Sequence, residues 1–281
     1  MAEPVSNSGS PRILIPAPAD ERHAHLAWPK VAKTSDGTII LAYSAGQFHG
    51  DHGGGCLAVS VSTDEGATFT PPSILSEFGQ GEPYTACGNL AIGVTKENVV
   101  VIMAMAYRGT AANTILGWAS VDRGKKWREI NVSSLAGGRT GSVYGNIFPV
   151  EGRGYAVCGH YRPGSYPHET GLWISFSQDA LHWGPPEQIH TDHLVEPAVT
   201  CVDDRIIGLI RQPDKQNIYG LLEANRRRLD WTLTDSQIRS PLPTKRLPSP
   251  FITTDPDNPS RLIALMTQRT IPGNTPGTIT L

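Results

Sequence analysis

The chain has 281 residues, of which 39% are hydrophobic and 18% charged, with 29 glycines, 23 prolines and a formal net charge of −2. This length can bury a sizeable core, the abundance of turn-formers argues against a helical protein, and the small net charge gives no reason to expect nucleic acid or an anionic membrane as partner. No run of 18 apolar residues occurs, so no membrane-spanning helix is expected, and Cys56, Cys87, Cys158 and Cys201 match no zinc spacing and read as small buried apolar residues.

Taken in order, residues 1–10 are polar, with neither a basic start nor an apolar stretch, and read as a flexible lead rather than a signal peptide. Residues 11–281 read as one domain. Pro11-Arg12-Ile13-Leu14-Ile15-Pro16 is a short apolar segment, expected to form a strand that joins the last sheet and leaves no free edge. A hairpin follows: Pro29–Thr34, the turn Ser35-Asp36-Gly37, and Thr38–Tyr43. Asp-Gly between alternating runs is a strong hairpin signal. The unit returns at Asn89–Ala106, Asn146–His160, Pro197–Ile210 and Pro250–Thr267.

Behind each of the first four hairpins stands a third apolar run and then a recurring turn. Ser120-Val121-Asp122-Arg123-Gly124-Lys125-Lys126-Trp127 reads Ser-x-Asp-x-Gly-x-x-Trp, and Ser62-Thr63-Asp64-Glu65-Gly66-Ala67-Thr68-Phe69 repeats it. Ser177-Gln178-Asp179-Ala180-Leu181-His182-Trp183 is a shortened version, and Asn225-Arg226-Arg227-Arg228-Leu229-Asp230-Trp231 a decayed one. The aspartate can accept backbone N–H bonds, the glycine can take φ > 0, and the aromatic folds back as an apolar plug, so Trp127 and Trp183 are expected to be largely buried. From Phe69 the aromatics follow at intervals of 58, 56 and 48 residues. A turn recurring at this period, with four antiparallel strands per unit and no helical periodicity, predicts an all-β propeller of four complete four-stranded blades and a partial fifth. Gly277–Leu281 is the expected third strand of that fifth blade.

These turns and hairpins resemble the Asp-box (BNR) repeats of the sialidase superfamily, whose members are six-bladed propellers. The resemblance covers roughly residues 11–281. It is specific for the fold and says less about activity, because such turns sit on the outer rim. It implies a retaining exo-glycosidase acting on a terminal acidic sugar. Such an enzyme has a tyrosine nucleophile paired with a glutamate, an aspartic acid/base, and three arginines for the substrate carboxylate. Carried over residue by residue, Asp51 in His49-Gly50-Asp51-His52 matches the acid/base, and His52 lies beside it in the same loop. Glu196 in Glu196-Pro197-Ala198-Val199 matches the glutamate, and Arg211 and Arg269 match the second and third arginines. The first arginine's position holds alanine in Ala27-Trp28-Pro29, with Arg22, His23 and His25 close upstream. The tyrosine is expected beyond Leu281.

The residues also carry a reading independent of that resemblance. Arg108, Arg162, Arg211 and Arg269 all stand where the second strand of a repeat ends, which predicts a set of guanidinium groups facing an anion at one end of the blades. Two other functions fit. A propeller polysaccharide lyase on uronic-acid polymers would use Arg162 to neutralise the uronate and Tyr161 or His160 to remove the α-proton. A carbohydrate-binding propeller would need no chemistry. The partner in each case is a carboxylated sugar or glycan. The spacings His49-x-x-His52 and His190-x-x-His193 read as chance in loops, and no metal or other cofactor is expected.

Overall fold

The computed structural model describes residues 12–47, 54–108, 112–136, 141–165, 168–215, 217–239, 247–268 and 278–280. Nineteen strands account for nearly all its regular structure. Blade 1 contains β1 (His25–Lys33), β2 (Ile39–Gly46), β3 (Gly55–Ser62) and β4 (Ser73–Phe78), and blade 2 contains β5 (Ala86–Val94), β6 (Val100–Arg108), β7 (Ala112–Ser120) and β8 (Arg128–Ile130). Blade 3 contains β9 (Ser142–Val150), β10 (Gly154–His160), β11 (Leu172–Ser177) and β12 (Glu187–His190). Blade 4 contains β13 (Val195–Val202), β14 (Arg205–Arg211), β15 (Ile218–Asn225) and β16 (Thr232–Arg239). Blade 5 has β17 (Pro250–Thr254), β18 (Leu262–Gln268) and β19 (Thr278–Thr280). Helix is confined, among the described residues, to one turn at Ser133–Ala136 and a 3-10 turn at Glu21–His23.

Within each blade the strands pair antiparallel in sequence order. The innermost strands β1, β5, β9, β13 and β17 contact one another in succession, which is the arrangement of a β-propeller. Blades 2 and 3 come closest, with β5 and β9 pairing in parallel at Ala91–Gly145 and Ile92–Asn146. Gly93 permits the approach, because a Cβ there would lie 2.2 Å from the carbonyl oxygen of Ile147.

The core lies between blades. Ile40 and Leu57 meet Leu90 and Ile102 between blades 1 and 2, Val101 and Met103 meet Val157 and Trp173 between blades 2 and 3, and Phe148 and Ile174 meet Val199 and Ile210 between blades 3 and 4. Leu209 and Tyr219 meet Ile252 between blades 4 and 5. Each such side chain contributes about 1.5–3 kcal/mol on burial.

The Asp turns are built alike. Asp64 Oδ1 accepts from Ser62 Oγ at 2.7 Å and the Thr68 N–H at 2.8 Å, and Asp122 Oδ1 accepts from Ser120 Oγ at 2.9 Å and the Lys126 N–H at 2.8 Å. The two residues after each aspartate take positive φ (Glu65 58°, Gly66 83°; Arg123 64°, Gly124 81°). The shortened turn lacks the glycine and needs only Ala180 at 60°, with Asp179 Oδ1 accepting from the N–H groups of Leu181 and His182. In the decayed turn the Asn225 side chain accepts from the N–H groups of Arg227 and Arg228.

Two expectations need correction. Trp183 is buried, but Trp127 is only partly so, although both indoles donate to a carbonyl of their own turn, Gly124 and Ala180. Residues 12–15 form no strand and do not join the last sheet. Ile15 packs beside Leu41 and Tyr43 of blade 1, Arg12 donates to the Gly66 carbonyl, and Ile13 is 80% exposed. Pro16 and Pro18 lack the N–H groups a ladder requires, and blade 1 offers an apolar face.

Candidate functional site

Four of the innermost strands carry a β-bulge at equivalent places. In blade 1, Trp28 and Pro29 together oppose Tyr43, and in blade 4, Glu196 and Pro197 together oppose Ile210. Blade 2 inserts Asn89, and blade 3 inserts Gly145 and Asn146. A bulge re-aims the side chain it carries. Trp28 and Glu196 both adopt positive φ, 49° and 54°, which for a non-glycine residue costs about 1–3 kcal/mol and persists only where the surroundings enforce it.

Glu196 is thereby held at the strand-end face of blades 3 and 4, beside a cavity of about 810 Å³. Arg211 Nη1 lies 2.8 Å from Glu196 Oε2, and Ser249 Oγ donates to the same oxygen at 2.6 Å. Oε1 has no hydrogen-bond partner among the described residues. The two side chains are 13% and 19% exposed. Burial alone would raise the Glu196 pKa, but Arg211 and the Ser249 hydroxyl outweigh it and hold the carboxyl below its ordinary range. It is therefore ionised at neutral pH.

His160, at the end of β10, is buried under the cavity, and its Nδ1 accepts the Glu196 N–H at 3.2 Å. Burial drives its pKa down to about 3, against the opposing pull of Glu196. A neutral imidazole accepting at Nδ1 carries its proton on Nε2. Lys30, the residue after the blade 1 bulge, is 7% exposed, with Nζ 4.6 Å from the centre of the Tyr144 ring. Burial lowers its pKa to about 8, while the field of Glu196 supports the charge. Tyr144 donates its hydroxyl to the Pro250 carbonyl at 2.8 Å. Burial, then Glu196, pushes its pKa far above the usual phenol range, so it stays protonated.

Among the strand-end arginines, Arg162 and Arg211 line the cavity together, with Tyr161 between blades and Asn89, Glu169, His193 and Gln212 around them. Tyr161 is 4% exposed and meets His168 edge-on at 5.2 Å. Arg108 is exposed and donates to the Glu82 carbonyl without lining this cavity. Asp51, His52 and Arg269 lie outside the described residues. Among the described residues no group of three or more His, Cys, Asp or Glu side chains is arranged to hold a metal ion. Lys30 and Ser249 were missed from the sequence. Their signal is proline: Trp28-Pro29-Lys30, Glu196-Pro197 and Ser249-Pro250 stand at the same point of three blades.

No family model matches the chain, and no curated protein matches it in sequence. Solved structures do. The Hadza microbial sialidase Hz136 superposes with a TM-score of 0.68 at 17% identity, covering 88% of this chain and 54% of its own. A protein of unknown function from Dyadobacter fermentans gives 0.68 at 18% identity, covering 93% of this chain and 80% of its own. The α-L-arabinofuranosidase Arb93A of Fusarium graminearum, solved with an iminosugar inhibitor, gives 0.61 at 14% identity, covering 87% of this chain and 70% of its own. The chain thus has the sialidase-like β-propeller fold, and it spans about half the length of Hz136.

Proposed function

We propose that this chain is a glycoside hydrolase of the sialidase-like propeller class, acting on a terminal acidic sugar of a glycan. The observation that carries this reading is Glu196. It is a nearly buried, ionised carboxylate on a strained bulge, fixed through one oxygen by Arg211 and Ser249, at the wall of a cavity large enough for a sugar ring. The sialidase and arabinofuranosidase among the similar structures support a carbohydrate substrate. In this reading Asp51 gives a proton to the glycosidic oxygen, Glu196 supports the group that attacks the anomeric carbon, and water is added across the bond.

A lyase would need a base at this site. His160 uses Nδ1 to accept the Glu196 N–H, and burial raises the pKa of Tyr161 and so disfavours its phenolate. The test uses aryl glycosides of N-acetylneuraminic acid, glucuronic acid and L-arabinofuranose. Aglycone release is expected from the first two, with a loss of about 100-fold or more in Glu196→Gln of unchanged thermal midpoint. An unsaturated, ultraviolet-absorbing product from a uronic-acid polymer would establish a lyase instead. Binding without any product would leave a carbohydrate-binding propeller.

A further inference from the structure

The turn that closes blade 4 departs from the other three in charge. In blades 1 to 3 the third strand ends on a serine, and an aspartate stands two residues further on. In blade 4 it ends on Asn225, and Arg226, Arg227 and Arg228 follow, so that Arg227 takes the place of the aspartate. This turn borders a second cavity, of about 650 Å³, between blades 3 and 4, walled by Arg153, Arg226, Arg227, Glu151, Glu187 and Phe176. The cavity lies at the opposite end of the blades from Glu196. The seven residues of β10 separate Arg153 from His160, about 20 Å of extended chain.

The three guanidinium groups are not equivalent. Arg153 is fixed across the blades, with Nε donating to the Arg226 carbonyl at 3.2 Å and Nη2 to the Arg227 carbonyl at 3.0 Å. Its guanidinium lies 4.9 Å from the centre of the Phe176 ring, which packs on the core between blades 3 and 4, so the ring is not open to stacking and recognition here is by charge. Arg226 reaches back to blade 3 and pairs with Glu151, so these two charges compensate one another. Arg227 is exposed, and its side chain makes no hydrogen bond or ion pair among the described residues. Its backbone is held, because its N–H donates to Asn225 Oδ1 at 3.0 Å and its carbonyl accepts from Arg153. Two guanidinium groups, Arg153 and Arg227, thus remain against one carboxylate, Glu187. One guanidinium fork already satisfies both oxygens of a carboxylate, whereas a sulfate or phosphate ester presents three terminal oxygens that separate guanidinium groups can share. The volume leaves room for a carrier the size of a sugar.

We propose that this rim cavity binds the tetrahedral oxyanion of a sulfated or phosphorylated sugar through Arg153 and Arg227, independently of the strand-end site. The test is a titration of the full chain with glucose 6-sulfate, glucose 6-phosphate and glucose, followed by backbone amide chemical shifts. Both esters are expected to bind and to shift the amides of residues 151–153 and 225–228, and glucose is not. The tighter of the two esters identifies the source of the oxyanion. Arg227→Ala removes an exposed side chain that folding does not need, and it should weaken ester binding by about 10-fold. Arg227→Lys should weaken it by only about 3-fold. Glu187→Gln removes the opposing carboxylate and should tighten binding by about 3-fold. Arg228→Ala should leave it unchanged, since Arg228 pairs with Asp230 and does not line the cavity. Equal losses in Arg227→Ala and Arg228→Ala would mean a general attraction of anions to a basic turn and would overturn the site. Wild type binding glucose as well as its esters would overturn it too. So would ester binding that survives Arg227→Ala but is lost in Arg211→Ala, which would place the anion in the strand-end cavity.

Discussion

The two ends of the blades follow opposite rules. At the rim of Asp turns the first three blades do the same thing. Ser62 with Asp64, Ser120 with Asp122 and Ser177 with Asp179 close equivalent loops, and an aromatic follows each. At the strand-end face the backbone repeats but the side chains do not. The bulge that carries Trp28 in blade 1 carries Asn89 in blade 2 and Glu196 in blade 4. A feature present once per blade serves the blade. A feature present once per molecule, on a backbone that repeats, is available for recognition and chemistry. Substitutions at the two ends should therefore separate stability from binding.

The largest separation is expected at Trp183. It fills the boundary of the core between blades 2 and 3 and donates to the Ala180 carbonyl. Trp183→Ala should cost about 3–5 kcal/mol in denaturant unfolding while leaving sugar affinity unchanged at temperatures where the chain is folded. Trp127→Ala should cost distinctly less, because that indole is only partly buried. Equal losses at the two positions would mean that the turns do not differ in packing as the structure has them.

Lys30 sharpens the comparison from the other end. Its pKa falls from 10.5 to about 8 on folding, so between those values the unfolded chain holds the extra proton and stability rises with pH. Below pH 8 the buried charge opposes folding in full, by up to about 3 kcal/mol. Lys30→Met should therefore be more stable than wild type at pH 7, with the difference shrinking toward pH 10.5. It should also bind acidic sugars more weakly, since Glu196 loses a nearby cation. Chemical denaturation at pH 7, 9 and 10.5 checks the first point, and a wild-type advantage constant across that range would contradict it.

The smallest effect belongs to the rim carboxylates. Backbone and side-chain donors, first the Thr68 hydroxyl, hold Asp64 at about 2, and the backbone N–H of Lys126 lowers Asp122. Both contribute stability that is present above pH 4 and lost as pH falls through their folded values. Thermal midpoints should decline between pH 4 and pH 2, and the decline should be shallower in Asp64→Asn. Sugar binding at pH 6 should not change in that variant.

The propeller was legible in the sequence. Each of the first four blades writes its own hairpin, third strand and recurring turn into contiguous residues, and every contact that defines those elements is local or one strand away. Four complete blades, a fifth of three strands and the near absence of helix were legible for that reason. The placement of Glu196 and Arg211 in one hairpin was legible too, and Ile210, which is fully buried, directs its neighbour Arg211 outward; that the two side chains pair is what the structure adds. The rest of the site is assembled by contacts between blades. Ser249 reaches Glu196 from blade 5, Lys30 comes in from blade 1 over Tyr144 of blade 3, and Arg162 rests against Met105 of blade 2. Arg108, at the same repeat position as Arg162, points elsewhere. A repeat pattern records what each blade has in common, whereas contacts across the axis depend on how blades are turned against one another, and no single repeat contains that information.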